Sequence, residues 1–329
     1  MLLQHLLTKQ PLDQAQASAA DLDGNKLLAA SDLTALKQLV RKQQPQEPPK
    51  PSYQFDPAKK YAEYAGSYKN AASQAGKIVK ETYNGINGSN TLNVYLPYGY
   101  DHNKQYNIFY FMHGMGDSEN SLFYNDNGES VRLLDNMIRN GDIDPMIIVT
   151  PTFNKVSADT FYNAENFYKE FRASVVPFVE GKYSTYAKST SEADLKASRM
   201  HRAYGGFSMG SVSTWAVFEN CVDMVGYFLP MSGAHHWGTG NPDANALAGA
   251  VEKAGLKKNE YFIMSATGTS DFAVDALRPQ IESMKKLSQF EYTSDFSKGN
   301  LWFILADGGQ HSWYYVRQYL YNGLPFFFR

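Results

Sequence analysis

The sequence predicts an α/β fold: a mostly parallel central sheet with helices on both faces. Three observations predict it. Short, continuously apolar runs recur along the chain, helical stretches alternate with them, and a glycine-flanked serine sits where one strand signal gives way to a helix signal. Parallel strands are buried on both faces, so they lose the polar alternation that marks a half-exposed strand.

Taken in order, residues 1–42 read as a small separate module. Asp21, Asp23, Asn25 and Asp32 fall at positions 1, 3, 5 and 12 of a twelve-residue loop, the spacing at which side-chain oxygens close around Ca2+. Leu33 to Val40 follows as an amphipathic helix, the expected exit from such a loop. Position 6, normally glycine, is Lys26, and position 9 is Ala29, where a water would have to serve as ligand. An acidic turn with Asp32 capping the helix accounts for the same residues without a metal. The loop and its Leu-x-x-Leu-Lys helix resemble one repeat of a dockerin, the module that docks enzymes onto the cohesins of a cellulosome scaffold. Dockerins carry two such repeats. Residues 1–10 resemble the helix of a first repeat whose loop is missing, so the module is partial. The resemblance implies cohesin as a partner.

Residues 43–60 form a linker. Pro45, Pro48, Pro49 and Pro51 make it extended and exposed, and it marks the boundary of a main domain over 61–329. Within that domain Thr91–Leu96 alternates like a half-buried strand, whereas Ile108–Met112 and Met146–Thr150 are continuous apolar runs. Further strands are expected at Met200–Tyr204, Tyr227–Leu229, Tyr261–Met264 and Leu301–Leu305, with helices around 129–139, 166–180, 211–220, 244–254 and 275–287.

Composition narrows the function classes. The chain has 329 residues, and 31 basic side chains against 33 acidic ones leave a net charge of −2, which gives no reason to expect nucleic acid or an anionic membrane as partner. A lone cysteine, Cys221, excludes an intramolecular disulfide framework and a cysteine-built metal site. No apolar run approaches bilayer length, and Met1–Leu7 is too short and interrupted for a signal peptide. With 23 Tyr and 20 Phe, the chain is well supplied for stacking on sugars or phenolic rings, although most such residues fill cores.

Chemistry concentrates at Gly206-Phe207-Ser208-Met209-Gly210. In a Gly-x-Ser-x-Gly elbow the serine occupies a strained turn, the glycines allow strand and helix to pack closely, and the helix N-terminus favours a developing oxyanion. A serine needs a base, and the base needs an orienting carboxylate. His311, in a glycine-bearing loop after the last strand, is the expected base; His235 and His236 are rivals that leave little chain for an intervening acid. Asp271, after the strand ending near Ser265, is the expected acid, ahead of Asp275 and Asp307. The order nucleophile, acid, histidine is that of the α/β-hydrolases. His113-Gly114-Met115-Gly116 stands where that fold supplies an oxyanion donor, so Met115 and Met209 are expected to present their N–H groups. His113 itself reads as buried and structural. Trp237, His236 and Phe207 are expected pocket residues.

Together, His113–Gly116, Val149–Asn154, Gly205–Gly210, Ala266–Gly268 with Asp271, and His311 resemble the feruloyl esterases of carbohydrate esterase family one, especially modules attached to bacterial cellulosomal xylanases. The likeness runs from about residue 75 to the C-terminus. It implies a secreted, extracellular serine esterase that releases ferulate and related hydroxycinnamates from arabinoxylan and needs no cofactor for catalysis. Two departures bear on the phenolic pocket: Met115 replaces a glycine common in the His-Gly-Gly-Gly loop, and Ala234-His235-His236-Trp237 replaces other aromatic and acidic residues. The triad does not specify the acyl group, so an acetylxylan esterase or another acyl-hydrolase of the same fold remains the alternative. A non-catalytic carbohydrate-binding module on a decayed hydrolase is the reading from a different class.

Overall fold

A computed structural model describes residues 61–154, 159–236 and 244–328. The expected module at 1–42 with its calcium ligands, the linker, and Trp237 lie outside the described residues.

The main domain opens with a hairpin, β1 (Lys77–Gly85) and β2 (Gly88–Leu96), followed by β3 (Asn107–Met112), a short α1 (Ser121–Tyr124), α2 (Glu129–Asn140) and β4 (Met146–Thr150). Next come α3 (Thr160–Glu170), a π-helical turn over Phe171–Val175, α4 (Val176–Lys182) and α5 (Glu192–Ala197). The second half alternates regularly: β5 (Arg202–Phe207), α6 (Met209–Cys221), β6 (Tyr227–Met231), α7 (Ala244–Ala254), β7 (Phe262–Gly268), α8 (Val274–Met284), β8 (Leu301–Ala306) and α9 (Trp313–Gly323).

Among the described residues, eight strands join one sheet in the order β1-β2-β4-β3-β5-β6-β7-β8. The β1–β2 and β2–β4 pairs are antiparallel and the remaining five are parallel, which is the mostly parallel α/β-hydrolase arrangement expected. Burial on both faces follows the two-residue period of the strands. In β3, Ile108, Tyr110 and Met112 enter the core on one side of the sheet, and Phe109 and Phe111 the core on the other. From β3 the chain moves one way to β4 and later returns on the opposite side as β5. Open α/β sheets form their binding crevice at such a reversal, outside the carboxyl ends of the strands.

Three elements depart from expectation. The strand placed at Met200–Tyr204 begins only at Arg202, after a 3-10 turn over Arg199–His201, and includes Gly205 and Gly206. Packing outweighs the low strand propensity of glycine there, since a Cβ on Gly205 would lie 2.8 Å from the Leu229 carbonyl and 2.9 Å from the Phe109 ring. The helix expected at 166–180 starts earlier because Asp159 accepts the Phe161 and Tyr162 N–H groups as an N-cap. Strand β1 carries no clear apolar alternation; only Tyr83 of its nine residues is buried, as an edge strand permits.

Candidate active site

The site is built at the carboxyl ends of β3, β5, β7 and β8. Ser208 follows β5 directly and holds φ 57° and ψ −115°, outside the regions open to an ordinary L-residue. Such strain costs on the order of 1–3 kcal/mol and persists only where its surroundings impose it. Here the Ser208 N–H donates to the Met231 carbonyl at 2.9 Å, and the Ser208 carbonyl accepts from Ser211 and Val212 at 2.8 and 3.2 Å. Close approach of backbones accounts for both elbow glycines. A Cβ on Gly210 would fall 2.1 Å from the Met112 carbonyl oxygen, and one on Gly206 would fall 2.5 Å from the Gly210 carbonyl oxygen. Neither obstacle is a flexible side chain, so the helix can start against the strand only with glycine at both positions.

The loops after β7 and β8 are laced together. Ser270 N–H donates to the Gly309 carbonyl and Thr269 N–H to that of Ala306, both at 2.9 Å. Gly308 N–H donates to Thr269 Oγ1 at 2.7 Å. This lacing sets Asp271 beside His311, with Nδ1 2.8 Å from Oδ1. The imidazole packs against two phenyl rings, Phe207 at 4.6 Å and Phe272 at 4.2 Å. Asp271 is buried, and that burial opposes its ionisation. Hydrogen bonds from His311 and the Ala273 N–H, with the Ser232 hydroxyl nearby, prevail and hold its carboxyl below the usual carboxylate range. An ionised Asp271 accepts the Nδ1 proton and leaves Nε2 as the basic nitrogen.

After β3 the chain turns sharply, Asp117 N–H donating to the Gly114 carbonyl at 3.3 Å with Gly116 at φ 79°. His113 anchors this turn: it is buried, with Nδ1 2.8 Å from the Gly114 carbonyl and Nε2 2.8 Å from Thr152 Oγ1. Burial pushes its pKa down, so it serves as a structural strut. Asn154 Nδ2 donates to the Asp117 carbonyl at 2.7 Å and ties down the far side. A Cβ on Gly114 would lie 3.4 Å from the Cβ of Ser208, so the turn passes directly beside the elbow. Among the described residues neither Met115 N–H nor Met209 N–H has a protein acceptor. Met209 opens α6, where unpaired donors are expected.

Met115, Phe161, Ser208, Met209, Phe272 and His311 line a cavity of about 460 Å³. Apart from Ser208 and His311 its walls are apolar, and its volume suits one small organic group. The structure therefore brings Ser208, His311, Met115 and Met209 to one cavity, with Asp271 behind the histidine. Two expected pocket residues stand elsewhere. Phe207 is buried behind the His311 ring, on which it packs, because it closes β5 with its side chain toward α9 and Trp313. His236 packs on His235 at 3.9 Å and faces Glu165 and Glu219. Phe161, Phe272 and Ser232 escaped the sequence reading. Phe272 adjoins Asp271 and was within reach of it, but nothing local marks Phe161 or the hydroxyl of Ser232.

The model of the Esterase family matches residues 84–327. The chain is 53% identical over 283 residues to endo-1,4-beta-xylanase Y of Acetivibrio thermocellus, covering 86% of this chain and 26% of that protein. It is 30% identical over 179 residues to an endo-1,4-beta-xylanase/feruloyl esterase of Xylanibacter ruminicola, covering 51% of this chain and 23% of that protein. It thus spans about a quarter of the length of these curated relatives. Among solved structures, the feruloyl esterase module from Clostridium thermocellum, a serine-to-alanine mutant complexed with sinapinate, matches with a TM-score of 0.80 and 53% identity over 84% of this chain and 97% of that one. A ferulic acid esterase from the anaerobic fungus Anaeromyces mucronatus shares the fold, with a TM-score of 0.61 and 22% identity over 80% of this chain and 96% of that one. The match to the family over most of the described residues, with a strained serine and a histidine at one cavity and a buried aspartate behind the histidine, makes this chain a member of the Esterase family.

Proposed function

We propose that this chain hydrolyses hydroxycinnamoyl esters, feruloyl esters of arabinoxylan in particular, through an acyl-enzyme on Ser208. One observation carries the reading: the His311–Asp271 bond of 2.8 Å stands beside the strained Ser208 at the mouth of an apolar cavity. Ser208 Oγ attacks the ester carbonyl while His311 Nε2 takes its proton and Asp271 stabilises the imidazolium. Met115 and Met209 N–H groups bind the tetrahedral oxyanion. His311 returns the proton to the departing sugar hydroxyl, and the same histidine activates the water that frees the acid. The walls of Met115, Phe161, Met209 and Phe272 fit an aromatic acyl group better than an acetyl group. The relatives named as feruloyl esterases, and the sinapinate bound to one of them, support the same acyl class.

Methyl ferulate and 4-nitrophenyl acetate, compared by kcat/KM alongside acetylated and feruloylated xylan oligosaccharides, test the acyl assignment. On xylan oligosaccharides the feruloyl ester is expected to react about 30- to 150-fold faster than the acetyl ester, because burying one aromatic ring contributes about 2–3 kcal/mol. A preference for the acetylated oligosaccharide would replace this reading with an acetylxylan esterase.

The xylanase relatives support a plant cell-wall substrate and an extracellular setting for this chain. Among the described residues no helix is long and apolar enough to cross a membrane. We propose further that Asp21, Asp23, Asn25 and Asp32 bind one Ca2+ and that residues 1–42 contact a cohesin. Calorimetry should show a single Ca2+ site that Asp21→Ala abolishes; an undiminished signal in that variant would leave Asp32 as a helix cap.

A further inference from the structure

We infer that Glu219, His235 and His236 form a binding site for a transition-metal ion such as Zn2+, separate from the esterase cavity and independent of the acyl group hydrolysed. Three different elements supply the parts. Glu219 lies near the end of α6, His235 and His236 follow β6, and Glu165 on α3 stands behind them. One ligand atom from each of Glu219, His235 and His236 lies within 4.8 Å of the others. His235 Nε2 is 3.0 Å from Glu219 Oε2, and His236 Nε2 is 3.8 Å from the same oxygen. These separations bracket the spacing of about 3.3 Å that a tetrahedral ion with bonds of about 2.0–2.1 Å imposes on its ligands.

The chemistry of the donors selects the ion. Two imidazoles and one carboxylate suit zinc and its neighbours, whereas Ca2+ and Mg2+ take oxygen shells. Glu165 Oε1 lies 3.5 Å from Nδ1 of His236, where a carboxylate orients a metal-bound imidazole from behind. Burial is graded as an accessible site requires: the His235 side chain is 1% exposed, that of Glu219 29% and that of His236 38%. Solvent thus reaches one side, leaving room for a water as fourth ligand.

The location gives the ion a structural role. His236 holds φ 49°, an uncommon backbone state for a non-glycine residue, and Ser232, four residues earlier, holds φ 56°. That loop begins at Ser232, close to Asp271. Glu165 is one helical turn from Phe161 of the cavity wall. A metal on Glu219, His235 and His236 clips the loop to α6 and, through Glu165, to α3.

The full chain, without a polyhistidine tag and stripped of metal with a chelator, is titrated with ZnCl2 by calorimetry and then scanned for thermal unfolding. The expected result is one saturable zinc site, with Tm raised by several degrees at saturating zinc. His236→Ala, on a partly exposed side chain, should abolish both effects. Glu219→Gln should weaken binding at least about 100-fold, and Glu165→Gln about 10- to 100-fold, as loss of an orienting partner does. Zinc held elsewhere, by residues 21–32 for example, would persist in all three variants and is distinguished that way. No saturable zinc binding by the wild type, or binding undiminished by both His236→Ala and Glu219→Gln, would overturn the proposal and leave Glu219 as a hydrogen-bond partner of His235 beside His236.

Discussion

Ser208→Ala is expected to lower kcat on methyl ferulate by about 10⁶-fold, a loss of about 8 kcal/mol of transition-state stabilisation. The substitution deletes the atom that forms the acyl bond and leaves its surroundings in place. The backbone state of residue 208 is imposed by the Met231 carbonyl and by helix α6, neither of which depends on the hydroxyl. Folding should accordingly be little affected, with Tm within a few degrees of the wild type. KM should change little if substrate binding precedes a slow chemical step, because the cavity walls are intact. The residual rate should still exceed the uncatalysed one, since oxyanion donors and substrate positioning alone supply about 10³–10⁴-fold. Single-turnover measurements on methyl ferulate check the result. A variant within tenfold of the wild type would show that another group attacks the ester and would remove the serine mechanism altogether.

What the sequence reveals about this molecule divides along a physical line. Ser208, Asp271 and His311 were legible because each stands in a loop at a strand end, and strand ends, glycines and chain order are local signals. The elbow glycines illustrate the point: Gly206 and Gly210 are demanded by backbone atoms only a few residues away or on the adjoining strand end. Phe161 was illegible. It reaches the cavity because α3 crosses over α6, and no pattern around residue 161 encodes which helix it will meet. The same limit applies to His236, where the sequence marks an aromatic residue near the site but not the side toward which its ring turns. Strand β5 was misplaced by two residues because Gly205 and Gly206 have low strand propensity, and only the neighbouring Leu229 and Phe109 show why they belong there. Edge strand β1 buries only Tyr83 and so carries no burial pattern to read.

Asp271→Asn is expected to lower kcat by about 10⁴-fold with the fold intact, because the carboxylate selects the histidine tautomer. In the wild type Oδ1 accepts from His311 Nδ1 and also from the Ala273 N–H at 2.9 Å. In the asparagine variant the amide can turn its NH2 toward His311, giving up the bond from the Ala273 N–H. Nδ1 then becomes an acceptor, the proton moves to Nε2, and Ser208 faces a donor where it needs a base. The pH dependence follows from the sign of the carboxyl shift. Hydrogen bonds hold Asp271 below its unfolded value of about 3.9, so it contributes stability that is present above that pH and lost as pH falls through the lower folded value. The asparagine variant lacks this term. The Tm difference between wild type and variant should therefore be constant above about pH 5 and move in the variant's favour below about pH 4. Profiles of kcat and Tm against pH for both proteins provide the check. If the variant keeps more than about a tenth of wild-type kcat, the orienting acid is elsewhere, and Asp307, exposed and 3.3 Å from Thr269 Oγ1, becomes the residue to replace next.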